Sequence, residues 1–502
     1  MFLLSVDLGT TGCKCLIFSL SGSVAAESYI EYPLIHTAEG YIEQDANLWW
    51  ELVQRVIVDA VSKSGVDKLD IRFMSISSQG ISFVPVDKNG KTLCNALSWL
   101  DIRAGEQVGL IRELFTAPES ANTSRKDDNS GDFYIFSTTG KRIHPAYSLP
   151  KLMRLKQYRP EIYAQTWKFL MGLDYITYRL TGKAVTDHSM ASGTMAYNIN
   201  TKRWDGDILG QCGIDTDKLP DIEYLGTEIG NILPEVAERV GLSPETTIVL
   251  GAQDQKCAAV GSGIADGVCT LSLGTSSAIS VICNRPTLDH DMSIPCFTLD
   301  EHNWILETSL ATTGASLKWM RDTLFPDKSY REIDAIVEGA APGSNSVFFY
   351  PHLEGASAPY WDPDSRGFIC GLSLTAAQGD ILRSLYEGIA YQIRANLEIM
   401  GQLSQSVKEI RVFGGGSKGA VWLQIISDVT GLPVKTLFTG EAANLGAAEI
   451  AGRHLKEAAD SPLMKGTDRI SRVFYPDNRL LTIYTGYYER YLAMQRKVLG
   501  YK

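Results

Sequence analysis

Asp254 stands where an apolar run, "TTIVLGAQD", gives way to the helical stretch "QKCAAVGSG". A carboxylate at a strand end facing a cleft can act as a general base, and a helix start fixes its orientation. The same residue is also an ordinary helix N-cap, so its position alone leaves both roles open. Gln255 beside it can bind a hydroxyl. A second acid, Asp7, ends "FLLSVD" just before Leu-Gly-Thr-Thr-Gly. Glycines let a backbone approach a ligand closely, and successive N–H groups in such a turn form an anion-binding concavity. Thr10 and Thr11 add hydroxyl donors there. Asp7 is placed to hold Mg²⁺ or its waters, and Lys14 can neutralise phosphate charge. Taken as a lone copy, this turn reads as a plain tight hairpin.

The pattern returns half a chain later. "CTLSLGTSSAISVIC" is again strand, Leu-Gly-Thr turn and strand, with Gly274 and Thr275 in the turn. Two such turns predict two domains of similar build, each offering a turn to one cleft. A third glycine element, "RVFGGGSKGAVWLQIISDVTGLPV", runs from strand through Gly414–Gly416 into a helix. Its N–H groups and the helix N-terminus suit the base, ribose or phosphates of a nucleotide. No GxxxxGK[ST] P-loop and no dinucleotide GxGxxG in register occurs. The histidines are isolated and give no metal-ligand spacing. No GxSxG nucleophile elbow is present. Trp49 and Trp50 lie on an apolar helix face and read as core. Trp99 ends the strand of "ALSWLDIRA", ahead of Asp101 and Arg103, and reads either as a substrate-pocket wall or as core.

The elements that must position these residues follow from periodicity. The chain opens as two successive hairpins, then an amphipathic helix over 45–65 capped by Asp45 or Asn47 and closed by Gly65. "DIRFMSISSQGISFVPV" is strand, turn and strand. Residues 117–132 are polar and aperiodic, and read as an exposed loop. Helical patterns follow near 150–181. At 502 residues the chain exceeds one ordinary core, so two domains are expected. A net charge of −11 argues against nucleic acid or an anionic membrane as partner. Nine cysteines without a CxxC pair suggest reduced thiols. The start of the chain does not read as a signal peptide. The uncharged stretch from Gly267 to Asn284 reads as a buried hairpin, not a membrane span.

Taken in order, these segments resemble the FGGY carbohydrate kinases, a family that includes xylulokinase, glycerol kinase, gluconokinase and ribulokinase. "DLGTTGCK" and "LSLGTSS" resemble its two phosphate motifs, and "GYIEQDANLWW" and "ALSWLDIRA" its acidic and tryptophan segments. "VLGAQDQKCAAVGSG" is similar to the segment with the catalytic aspartate, and "FGGGSKGAVWLQIISDVTGLPV" to the nucleotide segment. The resemblance implies an α/β fold of two ribonuclease-H-like domains around an ATP cleft, as in actin, hexokinase and Hsp70. It implies an N-terminal domain over 1–253, with the sugar site and first phosphate motif, and a C-terminal domain over 254–502, with the second phosphate motif and the adenosine site. Asp254 would be the general base and Asp7 the Mg²⁺ ligand. Thr10, Thr11, Gly274 and Thr275 would hold phosphates, and Gly314, Gly415, Gly416, Ser417 and Asn444 would line the adenosine site. Gln79, Gly80, Trp99, Asp254 and Gln255 would meet the acceptor. Gln79-Gly80-Ile81 departs from both the Gln-Met-His of xylulokinases and the Gln-Arg-Glu of glycerol kinases. Asp254-Gln255 resembles the glycerol kinase pair, whereas the tryptophan segment and Asn444-Leu-Gly-Ala-Ala look closer to xylulokinase. The implied activity is a cytoplasmic, ATP-dependent phosphorylation of a small sugar or polyol, a ketopentose such as xylulose foremost. A glycerol or tetritol kinase and a non-catalytic ATP-gated binding module are the alternatives. A homodimer is an assembly the resemblance allows.

Overall fold

The computed structural model describes residues 1–116, 130–455, 461–465 and 469–501. Two compact units emerge, and neither is continuous in sequence. The first comprises Met1–Gly261, Asn284–Trp304 and Ala442–Asp468; the second comprises Ser262–Cys283, Ile305–Glu441 and Arg469–Lys502. The units therefore do not follow a single boundary after residue 253. The helix Asp254–Gly261 stays with the first unit, and the helix Ala442–Gly452 returns to it. Close backbone contact explains both placements. A Cβ at Gly446 would lie 1.8 Å from the Cys257 carbonyl oxygen, and one at Gly261 would lie 2.1 Å from that of Ala442. Only glycine lets these two helices approach so closely.

In the first unit the sheet runs Glu228–Asn231, Thr247–Gln253, Ile71–Ser78, Phe2–Leu8, Gly12–Ser19, Val24–Glu31. Phe2–Leu8 and Thr247–Gln253 both pair parallel with Ile71–Ser78. The register sets Asp7 opposite Ser77, and Gln253 opposite Ser78. Asp7, Gln79 and Asp254 therefore share the carboxyl edge of adjacent strands, where open α/β sheets bind ligands. A bulge between Val249 and Ala252 shifts the last strand just before that edge. Gly251 permits it, since a Cβ there would sit 1.7 Å from the Ile76 carbonyl oxygen. The helix Ala46–Ser64 packs on this sheet, with Asp45 accepting from Asn47 N, Gly65 left-handed at its end, and Trp49 and Trp50 buried.

The second unit repeats the plan with strands ordered Trp304–Leu310, Ser277–Cys283, Val268–Leu273, Glu409–Phe413, Val434–Leu437, Ile470–Phe474. The uncharged stretch near Gly267 is the antiparallel pair Val268–Leu273 and Ser277–Cys283, and no described helix is long and apolar enough to cross a membrane. None of the nine cysteines is in a disulfide.

Two expectations about the elements change. Of the polar stretch 117–132, residues 117–129 lie outside the described residues. Its end is no loop: Ser130 Oγ accepts from Phe133 N and caps the helix Gly131–Thr139. The helical region near 150–181 is interrupted by the strand Lys168–Met171, which pairs with Phe83–Val86. The apolar "FLM" of that strand is buried, and Gly172 then turns the chain where a Cβ would meet Ser78 Oγ at 2.3 Å.

The following helix, Gly172–Thr181, is capped by Asp174, whose Oδ2 accepts from Met171 N at 2.8 Å. Burial, with the Asp187 carboxylate as a smaller contributor, pushes the Asp174 carboxyl up to about 7 against the Met171 N hydrogen bond and the nearby Thr186 hydroxyl. An acid raised on folding binds more protons folded than unfolded, so stability present below the unfolded value is lost as pH climbs towards 7. Asp174→Asn keeps an acceptor for Met171 N and carries no charge. By differential scanning calorimetry the variant should match wild type near pH 4. At pH 8 it should melt higher by roughly 9–17 °C, at about 2–4 °C per kcal/mol. A gap independent of pH would rule out a charged Asp174 as its cause.

Candidate functional site

The first glycine-threonine turn is tight. Gly9 N donates to Gly12 O at 2.9 Å, and the Tyr32 hydroxyl donates to Gly9 O. A Cβ at Gly12 would strike the exposed Tyr29 ring at 2.5 Å, so a side chain at position 12 would have to displace that ring. Thr10 carries two contacts: its Oγ1 accepts from Trp99 Nε1 at 2.9 Å and its carbonyl accepts from Gln44 Nε2 at 2.8 Å. Thr11 is exposed at the tip. Lys14 is the cross-strand partner of Asp7 and lies 5.3 Å over the Tyr29 ring. Asp7 accepts from Ser77 Oγ at 2.7 Å and is only partly buried.

Asp254 opens its helix directly from the strand. Its Oδ1 accepts from Gln255 N at 2.7 Å and from Gln253 Nε2 at 2.5 Å, which fixes the carboxylate plane. Gln253 is a residue the sequence did not single out. It lies against Gly80, where a Cβ would be 3.0 Å from Gln253 Cγ. The missing side chain at Gly80 thus makes room for an amide that touches the candidate base. The signal was available in "QDQ", where Gln253 and Gln255 flank the acid symmetrically. Ile81 sits at φ +54°, a strained value for a β-branched residue beside a candidate site. Gln79 is buried, with Nε2 donating to Gln44 Oε1 at 3.1 Å. Trp99 is 39 % exposed, which removes the reading of it as core. Behind it, Asp101 is buried. Burial alone would raise its carboxyl, but the Arg103 guanidinium with the Ile42 and Arg103 amides holds it below the usual range. Glu43 holds the other side of Arg103 at 2.9 Å.

The second unit carries a cavity of about 1040 Å³ whose lining includes Gly274, Thr275, Gly314, Gly415 and Gly416. Five of the residues expected to meet nucleotide are therefore brought together. Thr313 N, Gly314 N and Ala315 N donate to the carbonyls of Gly274 and Thr275 at 2.9–3.1 Å, which braces the second turn against the helix Gly314–Leu324. Gly416 lies so close to Leu273 that a Cβ would be 2.6 Å from its Cγ. Two of the five residues expected at the adenosine site do not line this cavity. Ser417 Oγ is spent on Gly414 O at 2.7 Å, and Ser417 does not line the cavity. Asn444 is buried in the first unit, its Nδ2 3.2 Å from Ser5 Oγ, because its helix packs under the opening strand. Aromatic lining from Trp319, Tyr330, Tyr386 and Trp422 was not foreseen; each reads in sequence as an ordinary helical apolar position.

A cavity of this size, floored by glycines and walled by aromatic rings, fits a nucleotide. Asp7, one half-buried carboxylate, fits Mg²⁺, which keeps several waters and takes one or two protein carboxylates alongside phosphate oxygens.

Models of the N-terminal and C-terminal domains of the FGGY family of carbohydrate kinases match residues 2–261 and 269–455. The xylulose kinase of Bacillus subtilis is 30 % identical over 499 residues, 98 % of this chain and 96 % of that protein. The gluconokinase of the same organism is 29 % identical over 92 % of this chain and 88 % of its own. The crystal structure of a ligand-bound xylulose kinase from Lactobacillus acidophilus superposes with a TM-score of 0.90 at 27 % identity, covering 99 % of this chain and 98 % of that one. Two glycine-threonine turns, an aspartate at the strand edge and a fold shared end to end with sugar kinases have one common account, which is that this chain belongs to the FGGY family of carbohydrate kinases.

Proposed function

We propose that the enzyme transfers the γ-phosphoryl group of MgATP to a hydroxyl of a small sugar or polyol, with a ketopentose such as xylulose the foremost acceptor. The observation that carries this reading is Asp254. Its carboxylate is oriented by Gln253 and Gln255 at the same sheet edge as the Asp7–Thr11 turn. Asp254 takes the acceptor hydroxyl proton as the oxygen attacks phosphorus and ADP departs. Thr10, Thr11, Lys14, Gly274 and Thr275 hold phosphate oxygens. Gly314, Gly415 and Gly416 take the adenosine, Asp7 holds Mg²⁺ through its waters, and Gln79, Gly80, Trp99 and Gln255 position the acceptor. Bound ATP would supply the phosphoryl group, and Mg²⁺ would offset the negative charge of its oxygens. Membership of a kinase family favours catalysis over the ATP-gated binding module. The lack of disulfides and the use of ATP support a cytoplasmic location, and a homodimer is the assembly to test by light scattering.

The xylulose kinase relatives favour the ketopentose, whereas the Asp254-Gln255 pair favours glycerol or a tetritol. Gly80-Ile81 offers no side-chain donor, so acceptor recognition on that side falls to Gln79 and Gln253. A panel of ketopentoses, aldonates, tetritols and glycerol, read by coupled ADP release, decides. A kcat/KM for xylulose at least tenfold above every other acceptor supports the reading. Preference for glycerol or a tetritol replaces it with the second one.

A further inference from the structure

Polar groups of the first unit close a ring of hydrogen bonds that no single motif reveals. Trp99 Nε1 donates to Thr10 Oγ1, and Trp99 N donates to Ser82 Oγ, both at 2.9 Å. Ser82 Oγ donates onward to Gln79 Oε1 at 3.5 Å. Gln79 Nε2 donates to Gln44 Oε1 at 3.1 Å, and Gln44 Nε2 returns to the Thr10 carbonyl at 2.8 Å. Gln44, Gln79 and Ser82 are buried, while Trp99 is exposed. The backbone supports the ring. Gln44 ends the strand Ile42–Gln44, which pairs with Ala96–Leu97, the strand leading to Trp99. Lys151 Nζ donates to Ser98 O at 2.6 Å and so holds the carbonyl before Trp99.

We propose that Gln44 is a positioning residue that couples the acceptor side, Gln79 and Trp99, to the phosphate turn at Thr10, and thereby holds phosphoryl transfer to water in check. This rests on the reading that Thr10 takes phosphate and Trp99 meets the acceptor. Inside a protein, connected hydrogen bonds polarise and stiffen one another, so the ring responds as a unit. Its exposed member is the one an acceptor can press against. Its buried members leave Thr10 few alternatives when that contact forms. Gln44 touches neither phosphate nor acceptor in this scheme; it acts through Thr10 and Gln79.

The test is a double-mutant cycle of Gln44→Met and Trp99→Phe, measured as ADP released per acceptor phosphorylated. Trp99→Phe removes the indole donor at an exposed site, so it probes the ring without risk to folding. Each single variant should raise that ratio about tenfold, and the double variant should be no worse than either single, because both open the same ring. Ratios equal to wild type in both singles, or effects that multiply in the double, would overturn the coupling. A wild-type enzyme that phosphorylates no acceptor would instead overturn the kinase reading on which it stands.

Discussion

Asp254→Asn should lower acceptor-dependent turnover roughly 10²- to 10⁴-fold, the range a positioned general base contributes. Asparagine retains an oxygen that can accept from Gln255 N, so the helix start and its geometry survive. What is lost is the proton acceptor. Positioning and charge neutralisation by the turns remain, so the residual rate should still exceed that without enzyme. ATP affinity, measured by calorimetric titration, should stay within a factor of about three of wild type, since adenosine and phosphate contacts lie on other residues. Turnover near the wild-type rate would remove Asp254 from the chemistry and leave it a helix-opening residue. Loss of ATP binding together with turnover would point to a structural role. The expected loss of turnover alone fits the general base, and the two contrary outcomes fit the helix cap, the two readings that its position in the sequence left open.

The sequence made the sheet edge legible because strand, turn and acid are local patterns. Asp7, Thr10 and Asp254 each end or follow an apolar run, and the register brings them to one edge as parallel pairing requires. Gly274 and Gly416 were legible for the same reason. Gln253 was missed because its significance is a vacancy: only Gly80, far away in sequence, leaves it room beside Asp254. Asn444 came from the family resemblance, and its place under the opening strand is set by packing that no local pattern shows. Here Gly446 serves helix packing against Cys257, and the amide of Asn444 serves Ser5. Ser417 sits in a glycine turn, where its hydroxyl satisfies a neighbouring carbonyl. The discontinuity of the units was invisible to any local pattern. Membership is decided by which helix packs beneath which sheet, and 442–468 lies far along the chain from its partners.

Gly314→Ala should reduce kcat/KM for ATP about 10²-fold, although it adds a single methyl group. Gly314 N already donates to Gly274 O at 2.9 Å, so the two backbones are in contact. A Cβ at 314 would lie 2.5 Å from that oxygen and 3.2 Å from its carbon. Neither is a side chain that can rotate away. The helix Gly314–Leu324 or the Gly274–Thr275 turn must therefore move, and overpacking of this kind costs about 1–3 kcal/mol. The turn is the element with less packing behind it, so the displacement falls on the candidate phosphate contacts. Loss of one preorganised donor to developing charge costs about 10²- to 10³-fold in other enzymes. The acceptor KM should hold, because the acceptor residues belong to the first unit. Gly401→Ala supplies the control. It lies in the helix Gln378–Leu403 of the same unit, nothing stands within 4 Å of its Cβ, and it should gain about 0.5–1 kcal/mol of stability with ATP kinetics unchanged. Equal ATP kinetics in both variants would mean that the second turn does not bear on phosphate.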